Sequence, residues 1–332
     1  MRRQPAVSTG LGLAVLSSAT FGTSGAFAAS LLQAGWTPGA AVTARLVTAA
    51  LVLTVPAVLA LRGSRRLWRR DLRSVAVYGV VAVAGAQLAY FNAVQRLPVA
   101  IALLLEYSGV LLVVAWLWLR TGQRPRRLTV AGAGVALGGL ALVLDLFGSA
   151  AFDPVGVLWG LAAAVGLASY FVLSAGTDDA LPPVVLAWGG LAVGGATVFV
   201  AGAFGLVALD APRTAVVLLD RQVSWLVPVL GLSVVAAAVA YLAGIAATRL
   251  LGAKIASFVG LTEVLFAVAF AWLLLDQTVA AVQLAGGALV VAGIAMVRID
   301  ELRSPAVAAP APAGPAVATH EQLVLAAEPS CR

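Results

Sequence analysis

The chain has 332 residues, 62% of them hydrophobic and 11% charged, with a mean hydropathy of +1.02 and a net charge of +7. A soluble domain carries roughly a quarter charged residues, so this composition leaves no room for a sizeable soluble unit. The arginines sit in short loops between apolar runs, where they report topology rather than nucleic-acid binding; one cysteine, Cys331, and one histidine, His320, exclude an internal disulfide, a multi-cysteine metal site and histidine-based catalysis.

Ten apolar runs follow one another, at about 11–31, 38–61, 74–95, 99–119, 128–147, 155–175, 183–206, 223–246, 255–275 and 279–298, five in each half. Each predicts a transmembrane helix. Arg2, Arg3 and the Ala26-Phe27-Ala28 triplet give the first run the look of a cleaved signal. Ser17, Ser18, Thr20, Thr23 and Ser24 break its apolar region, however, and cleavage would leave four spans facing five. A retained helix is expected, with Thr20 and Ser24 on one face.

In the second run Arg45 lies seven residues in, roughly 10 Å deep at helical rise. It fits either a snorkelling arginine near the interface or a counter-ion to a substrate carboxylate or to Glu106. The third run offers Gln87, Tyr90 and Asn92 toward its outer end, and the eighth offers Tyr241 at the repeat-related position. These tyrosines fit a binding site or an interfacial aromatic belt; Trp116, Trp118 and Trp272, near span ends, fit the belt.

The fourth run organises the rest. From Ala100 to Leu119 it is almost unbroken apolar sequence, about 30 Å long as a helix, and it contains one carboxylate, Glu106. Placing an acid at mid-span costs about 2.5–3.5 kcal/mol, so this side chain must be protonated, paired or beside water. It serves either as a cross-link between helices or as a functional group able to carry a proton. Tyr107 beside it, with Ser169 and Tyr170 of the sixth run, completes the polar set. Run five holds Gly132, Gly134, Gly138 and Gly139, and run ten holds Gly286, Gly287 and Gly293. Gly134 and Gly138, four apart, form a close-packing motif for a contact within the chain or across a homodimer.

An ungapped shift sets Val110 on Val264, Ala115 on Ala269, Trp118 on Trp272, Gln123 on Gln277, Gly132 on Gly286 and Gly139 on Gly293. The second copy has its own acid, Glu263, about one helical turn from the position of Glu106. Arginines at 2, 3, 62, 65, 66, 69, 70, 73, 120, 124, 126 and 127 mark alternate loops as cytoplasmic, so both termini are inside. The loop after run nine carries Asp276 and no basic residue, because an odd number of spans per copy inverts the second copy. The expected fold is an all-α integral membrane protein of ten transmembrane helices in two inverted five-helix repeats, 1–147 and 153–299. A linker holding Asp153 joins them, and a disordered Ala/Pro-rich cytoplasmic tail, 304–332, follows.

On these residues, and on RLPVAIALLLEYSGVL at 96–111, the chain resembles the EamA family of the drug/metabolite transporter superfamily. Its Glu106-Tyr107-Ser108-Gly109 piece is similar to the threonine/homoserine exporter branch. The resemblance implies a ten-helix fold with a central cavity and export of amino acids or other small metabolites; an inner-membrane protein driven by a proton or substrate gradient is expected. Val110 and Val264 stand where relatives usually have proline, and Gln123 and Gln277 where they often have an acid. The candidate substrate-binding or coupling residues are Glu106, Glu263, Arg45, Tyr90, Asn92, Gln87, Tyr107, Tyr170 and Tyr241. No cofactor or metal is expected; no ATP-binding element and no catalytic cluster is present, which disfavours a pump or an intramembrane enzyme. A non-transporting scaffold remains the alternative.

Overall fold

In lipid every backbone N–H and C=O must be satisfied within the protein, so long runs of Leu, Val and Ala fold as helices. A computed structural model describes residues 4–303 apart from 63–71, 95, 98, 123, 144–152, 177–180, 220 and 276–279. Gln123, Asp276, Gln277, most of the arginine-rich loop after run two and the tail with His320 and Cys331 lie outside the described residues. The helices are α1 (Gln4–Gly22), α2 (Ser24–Gln33), α3 (Pro38–Leu61), α4 (Leu72–Ala93), α5 (Val99–Tyr107), α6 (Gly109–Thr121), α7 (Arg127–Val143), α8 (Pro154–Gly176), α9 (Pro183–Ala203), α10 (Leu226–Gly260), α11 (Thr262–Leu275) and α12 (Ala281–Leu302). Among the described residues eight helical stretches are long and apolar enough to cross a membrane, and the apolar helix α7 is shorter. Their outer surface is apolar: Leu51, Val55, Leu158 and Leu284 are each 67% exposed.

The helix starts have local causes. Thr37 caps α3 with its side chain, Pro38 occupies the first turn, and Asp153 accepts from the Val155 amide at 2.8 Å at the start of α8. The all-α expectation needs one correction, because Val216–Leu218 and Arg221–Val223 pair as a short antiparallel hairpin, Val216 opposite Val223. Its β-branched residues lie between apolar runs, outside any helical period. Trp36, Leu31 and Trp225 pack with it, and Thr37 donates to the Ala208 carbonyl at 2.7 Å, tying this loop to the α2–α3 connection.

The duplication is visible in the irregularities of the helices. Residues Tyr78–Gly85 in α4 and Gly231–Val239 in α10 are both π-helical, at repeat-related positions. Run four breaks at Ser108, between α5 and α6, and run nine breaks at Leu261, between α10 and α11. No proline is needed: the Ser108 hydroxyl donates to the Leu105 carbonyl at 2.6 Å, and Gly109 lies where a Cβ would meet the Ala164 carbonyl oxygen at 2.5 Å. Runs eight and nine are separate helical segments, as expected, and meet within α10 at a corner at Gly252, whose φ of 80° and ψ of 160° are open to glycine alone. Gly252→Ala has room for its methyl, since nothing lies within 4 Å, so the backbone alone is strained. It is expected to cost about 1–3 kcal/mol, read as a lower melting temperature in detergent.

Each half packs on the other. Helix α1 lies against α10 and α11 of the second copy, α8 lies against α4, α5 and α6 of the first, α3 pairs with α9, and α7 with α12. The last crossing is made by four glycines. A Cβ at Gly132 would meet the Gly293 carbonyl oxygen at 2.8 Å, and one at Gly139 the Gly286 carbonyl oxygen at 2.6 Å. Gly134 and Gly138 do not form this contact. They are exposed, with nothing within 4 Å, because they lie on the other face of α7.

Candidate functional site

A cavity of about 440 Å³ opens between the two halves, walled by α1, α2, α3, α4, α5, α8, α10 and α11. The breaks in runs four and nine deliver its two acids: Glu106 lies at the end of α5, two residues before the Ser108 break, and Glu263 lies in the first turn of α11, two residues after Leu261. The Tyr107 hydroxyl donates to the Glu263 carboxylate, so the side chain next to one acid holds the other.

Arg45 faces the same space, 7% exposed. Its Nη2 donates to the Ala236 carbonyl at 2.6 Å, an acceptor in the π-helical part of α10. Its guanidinium carbon lies 5.8 Å from the centre of the Phe21 ring, within cation–π range. The buried Nε has no acceptor among the described residues. Both glutamates act electrostatically on this arginine, yet among the described residues no ion pair within 4 Å joins them. A guanidinium and two carboxylates are thus held apart around a void, where a ligand's charges could lie between them.

Aromatic rings form the rest of the wall. Phe21 meets Tyr241 edge-on with centroids 5.2 Å apart, Tyr241 meets Tyr170 at 5.7 Å, and Tyr170 is backed by buried Tyr78 at 6.1 Å. Gln87 hydrogen-bonds Tyr241, and the Ser17 hydroxyl donates to the Ala240 carbonyl at 2.8 Å. Gly244 leaves the space in which the Ser17 and Tyr170 hydroxyls converge.

Of the candidates from sequence, Glu106, Glu263, Arg45, Tyr90, Gln87, Tyr107, Tyr170 and Tyr241 line this one cavity. Asn92 does not, because its amide donates to the Leu88 carbonyl at 2.8 Å in its own helix. Ser24 lines it, while Thr20 and Ser169 bond carbonyls of their own helices. Trp116 and Trp118 are exposed on the outer surface. Ser17, Ser18 and Phe21 of the first run and Thr248, two residues past the eighth, also line the cavity, and nothing else in the sequence marks them. At the end where α1 packs on the Gly252 side of α10 the cavity is shut by side-chain packing. Ala14, Ala247, Ile255 and Val259 are buried together there, and Gly10 sits where a Cβ would come within 2.9 Å of the Leu251 side chain.

The EamA-like transporter family matches the chain twice, at residues 8–145 and 154–299. The chain belongs to this family. An EamA-like protein is a multi-pass membrane transporter of the drug/metabolite type, acting on small molecules, and its family consists of transporters rather than enzymes. A solved crystal structure with 22% sequence identity to this EamA-like chain has a TM-score of 0.70, covering 90% of this chain and 99% of that one, which shows the shared fold.

Proposed function

We propose that this chain is a secondary transporter of ten spans in two inverted five-helix repeats, 1–147 and 153–299, exporting a small amphipathic metabolite such as an amino acid by alternating access. The observation that carries this reading is the cavity, whose wall brings together Arg45, Glu106 and Glu263 with the rings of Phe21, Tyr170 and Tyr241. A carboxylate on a substrate suits the Arg45 Nε, an ammonium group suits the glutamates, and an apolar body suits Phe21, Tyr170 and Tyr241. The Glu106-Tyr107-Ser108-Gly109 piece supports the threonine/homoserine exporter branch, and the intramembrane acids support coupling to protons. The arginine-rich loops support an inner-membrane protein with both termini in the cytoplasm. Gly134 and Gly138, exposed on α7, are the face on which a second copy would pack.

Reconstitution into liposomes loaded with a panel of labelled amino acids tests the function. Flux of an unaltered amino acid that stops when excess unlabelled compound competes is the expected result. A chemically altered product would make the protein an enzyme, and an inert but correctly folded protein across the panel would leave the scaffold reading.

A further inference from the structure

The shut end of the cavity carries a polar cluster that takes no part in lining it. Asp300, near the end of α12 and 4% exposed, accepts a 2.5 Å hydrogen bond from the hydroxyl of Thr129, which is fully buried at the start of α7. The same Asp300 oxygen lies 3.9 Å from Lys254 Nζ, two residues past the Gly252 corner of α10. Nearby, Arg126 Nη1 donates to the Arg303 carbonyl at 3.3 Å, a second tie between the α7 and α12 ends. Lys254 opens the stretch that also supplies Ile255 and Val259, the two residues that close the cavity against Ala14 and Ala247. The cluster therefore fastens the closing segment to the rigid glycine crossing of α7 and α12.

The duplication makes this cluster one-sided. The shift that sets Gly132 on Gly286 sets Thr129 on Gln283 and Lys254 on Ala100. At the related end Gln283 Nε2 donates to the Val143 carbonyl at 3.2 Å, so α12 is still tied to α7. Position 100 is an alanine, which carries no group able to bind a carboxylate. The start of run nine is thus held by a charge at one end of the molecule, while among the described residues no ion pair holds run four at the other. When two related halves exchange shapes, a tie present in one half biases which end stays closed.

We propose that Asp300, with Thr129 and Lys254, is a latch that keeps this end of the cavity shut and sets the resting conformation, an inference that rests on the alternating-access reading above. The ties differ in kind between the two ends, a charged cluster at one and a neutral amide bond at the other, so releasing the latch shifts the population toward opening of the shut end.

The test uses the full chain in detergent with Cys331→Ser and a reporter Val259→Cys, a site 4% exposed at the shut end and away from the cavity wall. Asp300→Asn and Lys254→Gln are each expected to speed maleimide alkylation of the reporter about tenfold, equivalent to roughly 1.4 kcal/mol of lost bias. Lys254→Gln leaves the Thr129 bond to Asp300 in place, so it reports on the latch even if Asp300→Asn folds poorly. Gln283→Ala, at the other end, should leave the rate unchanged. Unchanged rates in both latch variants overturn the latch, and so does an equal acceleration in Gln283→Ala, which would mean general loosening. Wild-type flux in liposomes is measured separately: its absence overturns the transport reading, whereas normal flux with unmoved alkylation rates overturns the latch alone.

Discussion

Gly139→Leu is expected to keep α7 and α12 from meeting and to leave little folded protein. A Cβ at this position would stand 2.6 Å from the Gly286 carbonyl oxygen and 2.7 Å from both the Leu289 Cβ and the Val290 amide nitrogen. Two of those three atoms are backbone, so a rotamer change cannot relieve the contact and the helices themselves must separate. Overpacking a core typically costs about 1–3 kcal/mol, and this site belongs at the upper end of that range or beyond. Gly286→Leu meets the Gly139 carbonyl oxygen at 2.6 Å and should behave alike. Gly138→Leu, one residue away, points to open space within the single chain, so it should leave the α7–α12 crossing intact and disturb only the packing of a second copy. Thermal unfolding in detergent compares the three. If Gly139→Leu were as stable as the wild type while Gly138→Leu were not, the crossing would lie on the other face of α7.

That contrast shows what could be read from the sequence and what could not. The duplication already set Gly132 on Gly286 and Gly139 on Gly293, and the crossing pairs 132 with 293 and 139 with 286. The four-residue spacing of Gly134 and Gly138 is a local pattern, and a local pattern cannot say which face of a helix meets a neighbour. Buried charges were readable because their cost in lipid leaves them few places to be: Arg45, Glu106 and Glu263 all face the cavity. Uncharged polar residues carry no such constraint. Asn92 stands two residues from Tyr90, about 200° around the helix, so one faces the cavity and the other bonds its own backbone. Ser17 and Thr20 look alike in sequence, yet Ser17 bonds the Ala240 carbonyl across the helix interface and Thr20 bonds the Leu16 carbonyl one turn back. The break between runs eight and nine was readable, and Gly252 falls inside it; the sharpness of the corner was not, because it depends on the positive-φ backbone of that one residue.

Glu106→Gln is expected to insert and fold as the wild type does and to lose transport. The substitution keeps the shape of the side chain, which lines the cavity two residues before the Ser108 break, and removes only the group that can become an anion. Hydrogen bonds to charged groups contribute about 1.5–3 kcal/mol, so losing one to a substrate ammonium should reduce flux at limiting substrate roughly ten- to hundredfold. If the carboxylate also carries the coupled proton, the variant's remaining flux should no longer respond to a pH gradient. Glu263→Gln should be milder in binding, because the Tyr107 hydroxyl that donates to its carboxylate can donate equally to an amide oxygen and hold the side chain in place. Arg45→Gln supplies the opposite test: it should weaken substrates that carry a carboxylate and spare analogues in which that group is an ester. Flux is measured in liposomes at matched protein density, across a pH series with and without a gradient. Wild-type flux and an unaltered pH response in Glu106→Gln would reduce this glutamate to a cross-link between helices and remove the acid from the mechanism.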